Sequence, residues 1–448
     1  MFHVPRFRAV DPTLWIQLWE WHDSHPLPDR LNRCAREALN MFRRAKRLIG
    51  SETSKGIHGE KLEITPVPNN GFVQGRVFEP VQFSDASEWF CRVHDANEVL
   101  LQPDGSWLPH PFSYYAGHGI SIEEVALRIP GYLNAYRATN EEVYLKRAQA
   151  AGSYLMKERL FADGHLLLQG HLSIDFCYSL AGVALLELWN LDRTNRSYFD
   201  AARSIGDQLV ACHMSGSPNH ACIPAQLLGP LYKHTGDKKY LKAILRRVFS
   251  YTLPYQLSSG DWSGYQGYVW YQSILMRSLI SAYVAIPFTL EYSGKKDKLA
   301  SAIISAANWF AVNQRLDGSF PITRAGGTSY PAGERDMVSF DGKSFARMNN
   351  GSVYPGHGAY EIEALVALYS ELKVEELLPV LNGYATLVSK AASFWRLEFN
   401  TFGAGAYLGF LSDYSSRPPA SLLEAPPENT FFFPHINATE PSIAFPAS

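Results

Sequence analysis

The chain has 448 residues, of which 46% are hydrophobic, 13% aromatic and 19% charged. The 41 Lys and Arg against 43 Asp and Glu give a formal net charge of −2, without the basic excess that nucleic acids or anionic membranes attract. No segment approaches the roughly 20 apolar residues of a membrane span, and the start lacks the layout of a secretory signal. Five scattered cysteines do not suggest a disulfide scaffold, so we expect a cytoplasmic globular protein.

Three parts of the chain are expected from the distribution of residue types. Residues 1–111 are predicted to hold helices around 12–21 and 29–49, followed by a Pro-, Gly- and Val-rich stretch of strands and loops that caps one end. Residues 112–416 form the helical and catalytic domain in this prediction. Residues 417–448 are Pro-rich, and we expect a tail that packs on the surface.

From about residue 120, two kinds of helix alternate with a period of roughly 50 residues. The first kind is almost wholly apolar, and the second has a charged face. The apolar segments are 120–136, 174–191, 223–233, 269–292 and 357–369, and the charged segments are 141–159, 197–212, 238–255, 295–314 and 374–395. Asn, Gly and Asp in the short turns from apolar to charged helices supply helix caps.

A helix that is apolar on all sides is buried, whereas one with a charged face lies outside. The alternation therefore predicts an all-α fold of two concentric rings, an (α/α)6 toroid of helical hairpins. Five hairpins are visible, and the N-terminal helices are expected to supply the sixth. An open α-solenoid, which uses the same hairpins without closing, is the alternative.

A turn with an acidic residue, glycine and an aromatic or histidine recurs at 104–107, 162–165, 260–262 and 317–320. Together with the alternation and the period, these turns resemble the six-hairpin α/α-toroid superfamily. That superfamily includes glycoside hydrolases, polysaccharide lyases, sugar epimerases and, more distantly, terpenoid cyclases. The resemblance covers about residues 120–395 and implies a carbohydrate-active enzyme, without indicating one family.

The loops that lead into the apolar helices are longer than the turns that leave them, so function is expected where the inner helices begin. The longest loop, 316–356, is predicted to close over the substrate and to bring Arg335, Asp336 or Arg347 to this mouth. These arginines would bind a substrate carboxylate in a bidentate manner. Alternatively, they pair with acidic residues of the same loop.

The motif Tyr-x-Gly-His-Gly occurs twice, around His118 and His357, and each copy precedes an apolar helix. Glu124 and Glu363 follow the two copies at the same spacing. A histidine flanked by glycines at the start of a helix can reach a ligand and transfer protons near neutral pH. Equally, the histidines could cap the helices. Asp175, on the first turn of the second apolar helix, is a candidate catalytic carboxylate or an N-cap.

The most aromatic stretch of the chain begins the fourth apolar helix, and its rings, amides and carboxylate are typical of a sugar-binding cleft. Tyr265 and Tyr271 are candidate proton-transfer groups. The candidate substrate-binding residues here are Asp261, Trp262, Gln266, Trp270 and Gln272. Arg277 follows within the same apolar helix, where an unpaired charge is expensive, so it either pairs with a carboxylate such as Glu124 or reaches a bound uronate.

A metal site is a weak alternative for the segment that holds Cys212, His213, His220 and Cys222. Its spacing matches no standard zinc pattern, and ordinary packing is favoured over zinc or a Cys212–Cys222 disulfide. Nucleotide-binding, metalloprotease and nucleophile-elbow motifs are missing, so no cofactor is expected.

The sequence thus predicts an enzyme that acts on an oligo- or polysaccharide. Elimination or C5-epimerisation of a uronate needs a His or Tyr base and a group that neutralises the carboxylate, and the candidates above slightly favour this reaction. Hydrolysis by two carboxylates is the alternative, with Asp175, Asp261, Glu124, Asp336 and Glu363 as candidates. A terpenoid-type cyclase and a non-catalytic binding toroid are the other possibilities, although the cyclase motif Asp-x-Asp-Asp is missing.

Overall fold

A computed structural model gives the architecture of a large part of the chain. The chain divides into two units, Met1–Val77 and Phe78–Ser448, and the first unit lies outside the described residues. So do the predicted helices at 12–21 and 29–49 and the predicted tail at 417–448. The structure describes residues 83–109, 120–157, 161–162, 165–166, 174–211, 217–262, 269–314, 318, 320, 322–323, 329–330, 338–347, 359–372, 387–389, 391–392 and 399–416.

Helices dominate the described residues. They are α1 (Phe83–Glu98), α2 (Ile122–Thr139), α3 (Glu142–Met156), α4 (Ile174–Leu191), α5 (Arg196–Ala211), α6 (Pro218–Cys222), α7 (Ala225–Thr235), α8 (Lys238–Tyr251), α9 (Val269–Ala285), α10 (Ser293–Asn313), α11 (Ala359–Glu371) and α12 (Thr401–Ser416). The strands form three antiparallel pairs, β1 (Phe161–Ala162) with β2 (His165–Leu166), β3 (Ile322–Thr323) with β4 (Ser329–Tyr330), and β5 (Val338–Phe340) with β6 (Phe345–Arg347).

Six of these helices form a closed inner ring. Each contacts the next in the order α2, α4, α7, α9, α11 and α12, and α12 contacts α2 again. Helices α3, α5, α8 and α10 pack outside against α2, α4, α7 and α9, and α1 packs against α12. The five segments predicted to be apolar all contribute to the inner ring, so the predicted all-α toroid is confirmed and the open solenoid is not.

The burial of the helices follows their sequences. The inner helix α9 buries 13 of its 17 residues, whereas the outer helix α8 buries five of its 14. The short turn between α7 and α8 has the predicted caps: Gly236 ends α7 in the left-handed conformation, and the Asp237 carboxylate accepts a hydrogen bond from the Lys239 backbone N–H. Turns from inner to outer helices can therefore be short, and the longer loops are those that lead into the inner helices.

Two glycines allow the ring to close. A Cβ atom on Gly131 of α2 would overlap the backbone of Thr401 at the start of α12, and a Cβ atom on Gly405 of α12 would overlap the Gly131 backbone. The two helices therefore approach each other more closely than larger residues permit.

Two expectations about the chain ends are corrected. Helix α1 lies in the segment 51–111 that was predicted to form strands and loops, and Ala86, Phe90, Val93 and Asn97 bury one face of it at helical spacing. The sixth inner helix is α12, not a helix from the N-terminus. The glycines of α12 lower its intrinsic helix propensity, but packing within the ring stabilises the helix nevertheless.

The recurrent acidic-glycine-aromatic turn has a structural role. The Gln256 amide donates hydrogen bonds of 2.9 Å to the carbonyl oxygens of Gly260 and of Ala302 on the neighbouring outer helix. Gln314 makes the corresponding pair of bonds at the next turn of this kind. The aromatic residue, Trp262 in the first case, is buried behind the turn. These two turns thus each tie one hairpin to the next.

Candidate functional site

Side chains from the first turns of the inner helices meet at the axis of the ring. The rings of Phe176 on α4 and Tyr360 on α11 have centroids 6.4 Å apart, although α4 and α11 are the second and fifth of the six inner helices and lie opposite each other. Tyr360 also contacts Phe402 of α12 at 5.9 Å, and Phe176 contacts His220 of α6 at 5.6 Å. These contacts close the axis at this level.

A carboxylate completes this cluster. The Tyr360 hydroxyl donates a hydrogen bond of 3.0 Å to Oε1 of Glu123 on the first turn of α2. Glu123 is 5% exposed and Tyr360 is 7% exposed. We call the five side chains that these contacts connect the axial floor: Glu123, Phe176, His220, Tyr360 and Phe402. The first turn of a helix favours a negative charge, which suits a buried glutamate at this position.

The imidazole of His220 is neutral in this environment. Burial lowers the pKa of His220 to about 4, because its charged form would lose hydration among apolar neighbours. The axial floor therefore combines a carboxylate, a phenol and a neutral imidazole with two phenylalanine rings. Such a set can exchange protons with a bound molecule and offers apolar surface beside it.

Asp175 is held in an ion pair with the outer ring. Its Oδ1 lies 3.1 Å from Nη1 of Arg247 on α8, and both side chains are at most 5% exposed. Arg247 also donates hydrogen bonds to the carbonyl oxygens of Leu209 and Ala221. The pair joins the first turn of α4 to α8 and to the backbone at Leu209 and Ala221. Asp175 therefore stabilises the packing between the two rings.

Arg277 pairs with carboxylates, which was one of its two predicted roles. Its partners are Glu363 and Glu371 and not Glu124. Nε lies 2.5 Å from Oε1 of Glu363, and Nη2 lies 2.8 Å from Oε1 of Glu371. Burial opposes the charged guanidinium, yet the two glutamates outweigh it and raise the pKa of Arg277. Burial also raises the pKa of Glu363, against the attraction of Arg277. The arginine charge is already balanced within the protein.

Glu124 lies near a different cation. Burial lowers the pKa of Arg128, and the negative charge of Glu124 opposes that shift. The guanidinium of Arg128 also stands 5.2 Å from the ring centroid of Trp107. Glu124 thus contributes to the electrostatic environment of a buried arginine on α2.

The predicted aromatic cleft divides into buried and half-buried residues. The backbone N–H of Trp262 donates to Oε1 of Gln272 at 2.8 Å, and its indole N–H donates to the Thr252 carbonyl at 3.0 Å. Asp261 accepts a hydrogen bond from the Ser259 hydroxyl in the same turn. By contrast, Trp270 and Tyr271 are half-buried at the start of α9. The first group holds the turn together, and the second remains accessible.

Comparison with known proteins supports the architecture. No protein-family model matches the chain, and no curated protein sequence matches it. A variant of unsaturated glucuronyl hydrolase from Streptococcus agalactiae is 12% identical over 76% of this chain and 93% of its own, with a TM-score of 0.53. A second variant, complexed with dGlcA-GalNAc6S, is 12% identical over 77% and 95%, also with a TM-score of 0.53. The chain has the (α/α)6-toroid fold of these carbohydrate-active enzymes.

A glycosyl hydrolase of family 88 from Bacteroides vulgatus is 10% identical over 75% of this chain and 99% of its own, with a TM-score of 0.49. At 12% identity, the likeness to the two unsaturated glucuronyl hydrolase structures shows the fold and no particular reaction.

Several predicted site residues of this toroid lie outside the described residues, and their roles stay predictions. They are His118, His357, Tyr265, Gln266, Arg335, Asp336, Cys212 and His213. The motifs around His118 and His357 each precede an inner helix. The helices that follow them, α2 and α11, are joined through Glu123 and Tyr360.

The weak metal hypothesis gains no support from its two described members. Cys222 is a buried free thiol, and burial raises its pKa to about 12, although hydrogen bonds with Thr252 and Ser278 act in the opposite direction. His220 contacts Phe176. Within the ranges given above, no three His, Cys, Asp or Glu side chains are grouped as a metal site would require. No helix in the same ranges is long and apolar enough to cross a membrane.

Proposed function

We propose that this protein is a carbohydrate-active enzyme that binds an oligo- or polysaccharide over the axial floor and eliminates or epimerises a uronate at C5. The observation that carries the proposal is the hydrogen bond between Tyr360 and Glu123 at the mouth of the inner ring, where Phe176 contacts both Tyr360 and His220. Proton removal next to a carboxylate needs such groups in one place, away from bulk water. The toroid fold is compatible with this reaction class.

The location of the floor restricts how a glycan can bind. Because Phe176 and Tyr360 meet across the ring, a sugar chain cannot pass down the axis between them and must lie above the first helical turns. Trp270 and Tyr271, half-buried at the start of α9, are proposed to stack against sugar rings there. The inner helices begin at this end, and their N-termini favour an anionic sugar.

The uronate carboxylate needs a cation that is not already neutralised. Arg277 is paired with Glu363 and Glu371, so we assign this role to Arg335 of the long loop before α11. The Arg335→Ala variant should lower turnover of an acidic polysaccharide and leave the melting temperature nearly unchanged. Unchanged turnover on a confirmed substrate would refute the role. His118, His357, Tyr265 and Tyr271 remain candidates for proton transfer.

Hydrolysis is the second candidate, because carboxylates are concentrated at the same mouth. Glu123, Asp175 and Glu361 lie on the first turns of three inner helices and are each at most 5% exposed. Two carboxylates roughly 5 Å apart would support a retaining reaction, and a separation of about 6.5–9.5 Å an inverting one. The similar folds include enzymes named unsaturated glucuronyl hydrolases. The ion pair of Asp175 with Arg247 counts against Asp175 as one of the two.

The remaining alternatives have less support. A terpenoid-type cyclase would use an isolated protonated aspartate in an apolar cavity, but the Asp175 carboxylate at this mouth is held by an arginine. A binding toroid would have no convergent ionisable groups, whereas Glu123 and Tyr360 are hydrogen-bonded to each other at this mouth.

A panel of uronate-containing polysaccharides and preformed unsaturated oligosaccharides tests the proposal. Elimination produces a conjugated double bond and a rise in ultraviolet absorbance. Epimerisation changes the sugar composition without cleaving the chain. New reducing ends without a rise in absorbance would favour hydrolysis, and a fall in absorbance of the unsaturated oligosaccharides would identify hydrolysis of an unsaturated uronate. A wild-type protein without action on any member would contradict the proposal.

A further inference from the structure

Tyr360 is fixed in place from three sides. Its ring contacts Phe176 and Phe402, and its hydroxyl is hydrogen-bonded to Glu123, so side chains from three other helices hold one phenol. Tyr360 and Glu123 are 237 positions apart in the chain and meet only because the ring closes. A group held by such packing is preorganised for reaction at a fixed point.

The hydrogen bond also has a direction that suits proton transfer. The phenol donates and the carboxylate accepts, so the phenolic oxygen can take a proton from a substrate as it passes its own to Glu123. Two other carboxylates of the inner helices have cations as neighbours. Asp175 faces Arg247, and Glu363 faces Arg277. Glu123 accepts a hydrogen bond from a neutral, exchangeable O–H group, that of Tyr360.

We infer that Tyr360 is a catalytic residue of the reaction proposed above, with Glu123 as its proton acceptor. The inference rests on the proposed function. The Tyr360 oxygen takes the C5 proton of the uronate while the phenol proton moves to Glu123. The C–H electron pair becomes the C4=C5 double bond and expels the C4 oxygen. That oxygen then receives the proton held by Glu123, returned through Tyr360. The pair thus ends the cycle as it began, and no other reactant is needed.

The test uses the full-length chain on a polysaccharide that the panel shows to be eliminated. Tyr360→Phe keeps the ring and its packing but removes the O–H group, so kcat should fall by roughly 100-fold or more, in the range expected for general acid–base catalysis, while KM changes little. Glu123→Gln keeps the shape of the acceptor but not its basicity. It should lower kcat and remove the acidic limb of the kcat–pH profile.

Tyr132→Phe is the matched control. Tyr132 is another buried tyrosine of the inner ring, and its hydroxyl interacts with His94 Nδ1 at 3.3 Å, on the α1 side of α2. Removing this hydroxyl should affect the melting temperature without lowering kcat. Near-ultraviolet circular dichroism checks that each variant is folded. If Tyr360→Phe does not fold, the kcat of Glu123→Gln tests the inference in its place.

The possible results separate the two proposals. An active wild type with Tyr360→Phe or Glu123→Gln at wild-type kcat overturns the inference alone. A wild type that acts on no carbohydrate, or only by hydrolysis, contradicts the elimination reaction and this inference with it. A selective loss of kcat in both variants, with Tyr132→Phe unaffected, supports the pair.

Discussion

Asp175 on the inner ring and Arg247 on the outer ring form a buried ion pair, with 3.1 Å between Oδ1 and Nη1. Replacing Arg247 with Met leaves the Asp175 charge without its partner in the interior and should reduce the free energy of unfolding by about 3–5 kcal/mol. Urea denaturation followed by tryptophan fluorescence measures the loss. Arg246→Met, at the adjacent exposed position, should have little effect.

The double variant Asp175→Asn, Arg247→Met checks the cause of this loss. It should be more stable than Arg247→Met alone, because no charge is then left unpaired. Equal stability of the single and double variants would mean that the lost arginine packing, not the charge, is responsible.

The Arg277 network predicts a stability change that depends on pH. Arg277→Met leaves Glu363 and Glu371 facing each other and should cost about 1–3 kcal/mol at neutral pH, since the group is partly exposed. Burial raises the pKa of Glu363 and Arg277 opposes this, so removing Arg277 raises that pKa further, and protonation at lower pH stabilises the variant more than the wild type. The difference between variant and wild type should therefore shrink as pH falls, which a series of melting curves would measure. A constant difference would show that charge repulsion is not its source.

The ring could be predicted from the sequence because burial follows composition along each helix. Helices α4 and α9 are apolar on all sides, which indicates that protein surrounds them. Helix α12 was missed because Gly403, Gly405 and Gly409 reduce helix propensity. Gly405 and Gly409 allow close contact with α2, and a single sequence does not reveal that contact. Helix α1 was missed although its buried residues follow helical spacing, because the glycines and prolines before it favoured strands and loops.

The site was harder to predict than the fold. Loop lengths predict at which end of the toroid the site lies, but the glutamate that is hydrogen-bonded to Tyr360 is Glu123 and not the predicted candidate Glu124. A choice between adjacent residues depends on the rotation of α2 about its axis, which is set by packing against α1, α4 and α12. Tyr360 carried no local signal, since its partner is 237 positions away. Its position in the first turn after the repeated histidine motif is the feature that could have drawn attention to it.

His220 should make the protein less stable in mild acid. Its pKa is lowered to about 4 by burial, whereas the usual pKa of a histidine side chain is 6.5. The unfolded chain therefore binds the proton first, and stability that is complete above pH 6.5 is lost as pH falls toward about 4. The loss can reach about 3 kcal/mol. His220→Gln cannot titrate and should flatten this part of the profile of melting temperature against pH. An unchanged slope in the variant would assign the acid sensitivity to other groups.

Closure of the ring should depend on the contact between Gly131 of α2 and Gly405 of α12. Gly131→Ala places a methyl group against the Thr401 backbone and should reduce the free energy of unfolding by at least about 2 kcal/mol, because the backbone cannot move aside as a side chain could. Gly294→Ala is the control, since Gly294 lies in the first turn of α10 with open space around its Cβ position. There alanine should be neutral or stabilise by up to about 1 kcal/mol, through a less flexible unfolded chain. Once Gly131→Ala has separated the helices, adding Gly405→Ala should cost less than it does alone. Additive losses in urea denaturation would mean that the two glycines serve different contacts, and a harmless Gly131→Ala would show that α2 and α12 have room between them.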